Sequence, residues 1–380
     1  MSTHQKILPI ANQILKKHEL CDNCLGRLFS KKLHLSSNKL LGKKLQKNSN
    51  SKHSCYICKN IFNDLEYFLK LMIDTSSSYS FKTFSVGAMI KPSIIDRDDY
   101  IRSKFKLRGI DGIKTDITKE LAKLYTRKTK KTLDTVDSDV TFTVNIKDGT
   151  CDLRAKSIVF YGRYVKLTRD LPQKQKPCEN CQGKGCRLCN FHGISEFQSI
   201  EGIISKFLFE KIGGSTAKFT WIGGEDKTSL VLGKGRPFFV KIQNPNKRKM
   251  RSTSFKSESV KITNLKIVNN SPKHPLKFKS TIEIKILANS EINSNEILKL
   301  KHLTKQPIVV YEKSGKRSEK NIFSIKYKKN STISFTLIIK TDGGLPVKRF
   351  VTGDDVTPSI SKILNNTCNC QKFDFLDIDV

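Results

Sequence analysis

Acidic side chains are scarce in this chain. Asp and Glu number 35 against 70 Lys and Arg, a formal charge of +35 over 380 residues. That imbalance excludes an ordinary enzyme of small neutral metabolites. It points to a polyanion, because each phosphate neutralised by a basic side chain releases counterions. Long apolar runs are also missing. None approaches the roughly 18 residues of a membrane span, so no membrane partner is expected. The N-terminus, Met1 to Leu15, carries Asn12 and Gln13 inside its apolar stretch and lacks a small-residue cleavage site. It reads as a helix and not as an export signal, which implies a cytoplasmic protein. No Gly-rich cofactor turn is followed by an acidic residue on a next strand, so a methyl-donor fold is not indicated.

Cysteine is plentiful by contrast, with eleven residues. In a reducing compartment these are metal ligands before they are disulfides. Eight fall into four Cys-x-x-Cys pairs. Cys21/Cys24 and Cys55/Cys58 can bring four thiolates onto one tetrahedral Zn²⁺. Cys178/Cys181 and Cys186/Cys189 lie in CENCQGKGCRLC, with Gly183 and Gly185 allowing a tight reversal. This second set resembles the knuckle of DnaJ-type zinc modules. One or two structural zinc ions are expected, with pairing across the two sets as the competing arrangement. Cys151, Cys368 and Cys370 have no visible partners.

The chain divides by pattern into three parts. Residues 1–60 read as a helix, with Ile7, Ile10 and Ile14 on one face, followed by the first cysteine knuckles. The polar run Asn48 to His53 reads as a loop. Residues 61–175 read as a basic α/β domain, with strands at Phe81–Met89, Val140–Ile146 and Lys156–Leu167 and a basic helix at Ile113–Leu133. Phe160, Tyr161 and Tyr164 are interleaved there with Arg163 and Lys166, a pattern suited to RNA, although such aromatics also build cores. Residues 176–380 begin with the second cysteine cluster (176–193). The helix-period segment Ile200–Ile212 follows, ended by Gly213-Gly214. Strand-like alternation then recurs at Phe219–Ile222, Phe238–Ile242, Val260–Val268, Ser280–Leu287, Asn321–Tyr327 and Ile333–Lys340. The fold class is α+β. The Lys-rich stretches Lys247–Glu258 and Lys313–Lys320 read as mobile loops.

One stretch carries chemistry, Trp221 to Asn246. A Gly223-Gly224 turn presents the acidic pair Glu225-Asp226, and the run Gly233 to Phe238 leads into an apolar strand. Together with CDNCLGRLF (Cys21 to Phe29), FKTFSVGAMI (Phe81 to Ile90), YGRYVKLTRDLPQ (Tyr161 to Gln173), the second cysteine cluster and VKRFVTGDDVTPSI (Val347 to Ile360), this stretch resembles the archaeal-type tRNA pseudouridine synthases that modify T-loop uridines 54 and 55. The resemblance runs almost end to end. It implies a Cys-knuckle and THUMP-like RNA-binding α/β region followed by a mixed-sheet catalytic domain that works without an organic cofactor, in a monomer whose partner is the T-arm of tRNA.

By position, the resemblance makes Asp226 the catalytic carboxylate and Lys348 the cation beside it, with Arg236 the second choice. It places Phe278 near a base-stacking position. Arg163, Lys166, Arg169, Lys234 and Arg236 are the expected substrate-binding residues. The chain departs from the family pattern at Gly224, where an Arg precedes Glu-Asp, and at Thr228, Leu230 and Pro346. The segment Asp355 to Pro358 is also shortened. Two other readings compete. One is a non-enzymatic zinc-containing tRNA-binding protein or chaperone derived from the same family. The other, an RNA thiolation enzyme, would use Gly223 to Asp226 as an ATP loop, but the flanking residues and the absence of a sulfur-carrying cysteine motif argue against it.

Overall fold

A computed structural model describes residues 3–33, 37–46, 54–108, 110–251, 253–312 and 314–380. The Asn48–His53 loop therefore lies outside the described residues. The chain forms two compact units, Met1–Lys156 and Ser157–Val380.

In the first unit, helices Asp22–Leu33 and Asn38–Leu45 cross with their backbones touching. Two glycines make this possible. A Cβ on Gly26 would fall 1.8 Å from the Asn38 carbonyl oxygen, and one on Gly42 would fall 1.9 Å from that of Asp22. Arg27, on the first of these helices, is buried against Asp98, Asp116 and the Asp111 carbonyl. A four-stranded sheet follows, ordered Thr132–Leu133, Thr83–Met89, Val140–Asn145, Thr150–Ala155. Val140, Phe142 and Val144 alternate inward, and Phe142 meets Tyr125 of the helix Ile113–Thr129. That helix stops short of the expected Leu133. Lys130 takes a left-handed φ of 59°, and Thr132-Leu133 pair with the strand Thr83–Met89 instead.

The expected break at residue 60 is absent. Ile14, Leu28, Leu41, Cys24 and Cys58 share one apolar core with Met72, Tyr125 and Phe142. Nor does the division fall at 175. It falls at Lys156/Ser157, because the strand Ile158–Lys166 pairs along its length with Val231–Ile242 and Val260–Val268 and so belongs to the second unit.

That second unit is built on a nine-stranded mixed sheet. Its order runs Ile322–Lys329, Ser334–Asp342, Lys279–Ala288, Cys368–Asp379, Val231–Ile242, Ile158–Lys166, Val260–Val268, Phe255–Lys256. Ala217–Trp221 is a side branch. Val231–Ile242 gives one edge to Ile158–Lys166 and shares the other. Its Phe238 end pairs with Trp221, and its Val231 end pairs in parallel with Phe375. The sheet is forked at this point, and residues 222–230 run from the branch strand Ala217–Trp221 back to Val231, beside Phe375 of the other tine. Two of the expected loops are ordered in part. Arg317–Lys320 is a strand paired with Ile308–Tyr311, and Phe255–Lys256 pairs with Val260–Val268.

Candidate active site

The segment in the fork is held by its carbonyls. Backbone oxygens in a loop need donors, and here side chains from the strands Ile158–Lys166 and Val231–Ile242 and from the connection that follows Lys166 supply them. Arg236 Nη1 donates to Ile222 O at 2.9 Å. Gln173 donates to Gly223 O at 3.3 Å. Lys166 Nζ donates to Asp226 O at 3.2 Å and Lys227 O at 2.8 Å. Arg169 donates to Thr228 O at 2.6 Å. Two carboxylates balance these cations. Glu225 accepts from Tyr164 Oη at 2.8 Å and Arg236 Nε at 3.3 Å, with Lys166 at 3.8 Å. Asp374 accepts a two-pronged pair from Arg169 at 2.8 and 2.7 Å, and the Leu230 amide at 2.8 Å. Gly223 must be glycine. Its φ is 77°, and a Cβ there would lie 2.4 Å from the Phe278 ring and 2.6 Å from Arg236 Nη1.

This clamp leaves one carboxylate in the open. Asp226 Oδ1 accepts from the Thr228 amide at 2.9 Å and the Thr228 hydroxyl at 2.7 Å. Oδ2 accepts from Lys348 Nζ at 2.7 Å. Lys348 comes from the short helix Val347–Thr352, which is anchored by buried Val347, Phe350 and Val351. Partial burial pushes the Asp226 carboxyl up, but the bonds from Lys348 and Thr228 outweigh it and hold the group down at about 2. Glu225 goes the other way. Burial raises it, and Arg236 and Lys166 only partly offset the rise. Two neighbouring acids are thus separated by environment, one with a buried, structural carboxylate, one half-buried and ionised. A cleft of 510 Å³ opens beside Asp226 and Lys348, lined also by Leu345, Pro346, Phe373 and Phe375.

The structure brings together Asp226 and Lys348 as the sequence led us to expect. Arg236 is not on Asp226; it pairs with Glu225. Phe278 packs against the Gly223 turn and Gly343, half-buried. The expected phosphate ligands fare differently. Lys166 and Arg236 are fully buried, so neither can reach a backbone phosphate. Arg163 spends its donors on the carbonyls of Lys234, Gly235 and Ile378. Arg169 is committed to Asp374. Only Lys234 is well exposed, at 69 %, and it lies 3.5 Å from both Asp377 and Asp379. Sequence reasoning missed Tyr164, Gln173, Thr228 and Asp374 as members of the site.

Each cysteine set converges on itself. The sulfurs of Cys21, Cys24, Cys55 and Cys58 all lie within 4.8 Å of one another, as do those of Cys178, Cys181, Cys186 and Cys189. This removes the option of pairing across the sets. The donor set fits a tetrahedral metal ion, and backbone amides already point at the sulfurs: Gly185 N to Cys181 at 3.2 Å, and Gly193 N to Cys189 at 3.3 Å. The Asn180 amide and the Cys189 backbone lower Cys186 to about 6, which favours the ligating thiolate. Cys24 and Cys58 are fully buried in the first unit's core. Cys55→Ser should therefore empty that site and lower the unit's melting temperature by on the order of 10 °C. Elemental analysis with calorimetry checks this; full metal content, or an unchanged melt, refutes it.

Two stretches match known families. Residues 159–379 match "Pus10, C-terminal", and residues 68–145 match "Pus10 THUMP domain, archaeal". The protein is an enzyme of the pseudouridine synthase class. A tRNA pseudouridine synthase Pus10 of Nitrosopumilus maritimus is 66 % identical over 380 residues, 100 % of both chains. One of Cenarchaeum symbiosum is 34 % identical over 363 residues, covering 95 % of this chain and 90 % of that one. One of Methanocaldococcus jannaschii is 30 % identical, covering 96 % and 93 %. The chain belongs to the Pus10 family.

Proposed function

We propose that this chain isomerises uridine 54, uridine 55 or both in the T-loop of tRNA, with Asp226 as the catalytic carboxylate and Lys348 as its partner. The observation that carries the reading is the Asp226–Lys348 pair at 2.7 Å on the wall of an open cleft. Isomerisation breaks the N1–C1′ bond, turns the uracil and joins C5 to C1′. The C5 proton leaves and N1 gains one, so no outside reagent is consumed. Positive charge grows at C1′ as the glycosidic bond breaks. An ionised, fixed carboxylate stabilises that charge without reorganising. The target base must first leave its stack, and in this reading Phe278, whose ring packs against the Gly223 turn, stacks on it. Zinc in the two cysteine sites serves the fold, and Lys234 contacts phosphate. The relatives' names, the THUMP match and the charge of +35 support tRNA as the partner. The test is to incubate the purified chain with an unmodified tRNA transcript and map pseudouridine. Product at 54 or 55 supports the reading; product elsewhere, or none, overturns it.

A pH profile follows from the depressed Asp226. A carboxyl lowered in the folded state keeps its charge above its folded value, and loses it only as pH falls through about 2. Wild-type turnover should therefore show no acid limb from Asp226 in the usual carboxylate range near 4. Lys348→Met removes the cation but leaves the burial and the Thr228 bonds, so the acid limb should rise from its wild-type position toward that range. Identical acid limbs in the two proteins would show that Lys348 does not set the ionisation of Asp226.

A further inference from the structure

The second cysteine cluster is an eight-residue repeat, Cys178-Glu-Asn-Cys-Gln-Gly-Lys-Gly185 followed by Cys186-Arg-Leu-Cys-Asn-Phe-His-Gly193. The two halves share backbone geometry. Gln182 and Asn190 have φ of 49° and 50°, Gly183 and Phe191 have 85° and 61°, and Gly185 and Gly193 have 91° and 74°. They also lean on each other reciprocally. A Cβ on Gly185 would lie 2.7 Å from the Phe191 carbonyl oxygen, and one on Gly193 would lie 2.5 Å from that of Gly183. Phe191 thus occupies the place its twin gives to glycine.

That place is costly for a phenylalanine. A bulky residue at positive φ is strained, where glycine is not. Core packing does not offset the strain, because Phe191 is 55 % exposed. Leu188 is 80 % exposed, at the position where the first half carries Asn180. Asn180 donates to Cys186 Sγ at 3.2 Å, so the first half's polar residue supports the cluster while the second half's apolar pair supports nothing in it. The second half is well anchored even so. His192 stacks on Phe209 with centroids 4.0 Å apart, and its Nδ1 donates to Ser215 O at 3.0 Å. Exposed Lys184 and Arg187 share these turns, and neither has an ion-pair partner among the described residues.

We propose that Phe191 and Leu188 form an apolar platform for an unpaired base of the RNA substrate, with Lys184 and Arg187 taking the adjoining phosphates. An exposed aromatic ring on an anchored turn that also carries two exposed cations suits base stacking on a charged strand. The proposal rests on the reading that the chain binds tRNA, but it assigns the cluster a contact of its own beyond a structural role for metal.

The test is the variant Leu188→Asn/Phe191→Gly, which gives the second half the first half's pattern. Affinity for an unmodified tRNA transcript, by fluorescence anisotropy, should fall about 10-fold, the size of one lost base stack. Binding to an RNA hairpin with no unpaired base, its two paired strands joined by a non-nucleotide linker, should not change. Metal content should be retained, and the melting temperature should hold or rise as the strain at 191 is relieved. In Phe191→Trp, the new indole emission should be quenched by tRNA and not by the hairpin. Unchanged tRNA affinity, an equal loss on the hairpin, or loss of metal each overturns the proposal. If wild type binds tRNA through this platform yet forms no pseudouridine, the functional reading fails and this one stands. If pseudouridine forms and the variant binds as wild type, the reverse holds.

Discussion

Asp226→Asn should lower pseudouridine formation on a tRNA transcript by on the order of 10³-fold or more while tRNA affinity stays near wild type. The variant isolates charge from shape. The remaining oxygen can still accept from the Thr228 amide and hydroxyl, which now hold Asp226 Oδ1 at 2.9 and 2.7 Å. The loop itself is fixed through its carbonyls by Lys166, Arg169 and Arg236, none of which depends on the Asp226 side chain. What changes is the group facing Lys348. An amide donor replaces the acceptor 2.7 Å from Nζ, so the pair separates and the negative charge vanishes. Asp226→Glu keeps the charge and displaces it by one methylene. It should recover little, because stabilising charge at C1′ depends on position. Retained turnover in Asp226→Asn would remove the residue from the chemistry. Loss of tRNA binding along with turnover would make it a contact residue instead.

How much of this site could be read from the sequence depends on what each residue does. Asp226 and Lys348 lie 122 positions apart. No spacing rule joins them; only the resemblance of two short segments did. The basic residues could have been sorted further. In the strand Ile158–Lys166, positions 158, 160, 162, 164 and 166 are all buried, so Lys166 falls on the inward phase set by Phe160 and Tyr164. A lysine on the apolar phase of a strand signals a buried cation with a carbonyl or carboxylate partner, and that is what it has. Arg163 and Arg169 gave no such cue. Their partners, Ile378 O and Asp374, lie on a C-terminal strand that the pattern did not declare. There Phe373, Asp374 and Phe375 are buried in succession, and two register shifts against Lys279–Ala288 break the period of two. The strand Val260–Val268 and the helix Ile200–Ile212 match the expected limits residue for residue; the helix ends at Gly213, and the strand keeps its limits although its alternation slips by one at Asn264, where φ is 55°.

Glu225→Ala should cost about 3–5 kcal/mol of folding stability, the usual penalty for stranding buried charge. Arg236 and Lys166 have no exposed surface at all, and Glu225 is the carboxylate beside both, at 3.3 and 3.8 Å. Arg236 has a second contact, its guanidinium 4.5 Å above the Phe375 ring, but a ring face compensates less than a carboxylate. Lys166 keeps its two loop carbonyls and loses its only buried counter-charge among the described residues. The melting temperature of the second unit should fall by on the order of 10 °C. Glu225→Gln should fall less, since it leaves no cavity and still accepts from Tyr164. The effect on turnover should exceed that on tRNA affinity. Arg236 and Tyr164 would lose the partner that sets the Gly223 turn, and with it the angle at which Asp226 meets Lys348. Glu225→Leu/Arg236→Met replaces one buried pair with apolar volume and should recover part of the stability. It should not recover turnover, because the Ile222 carbonyl loses its donor. A melt for Glu225→Ala equal to wild type would show that water reaches the two cations, and that the loop is not held from beneath by this carboxylate.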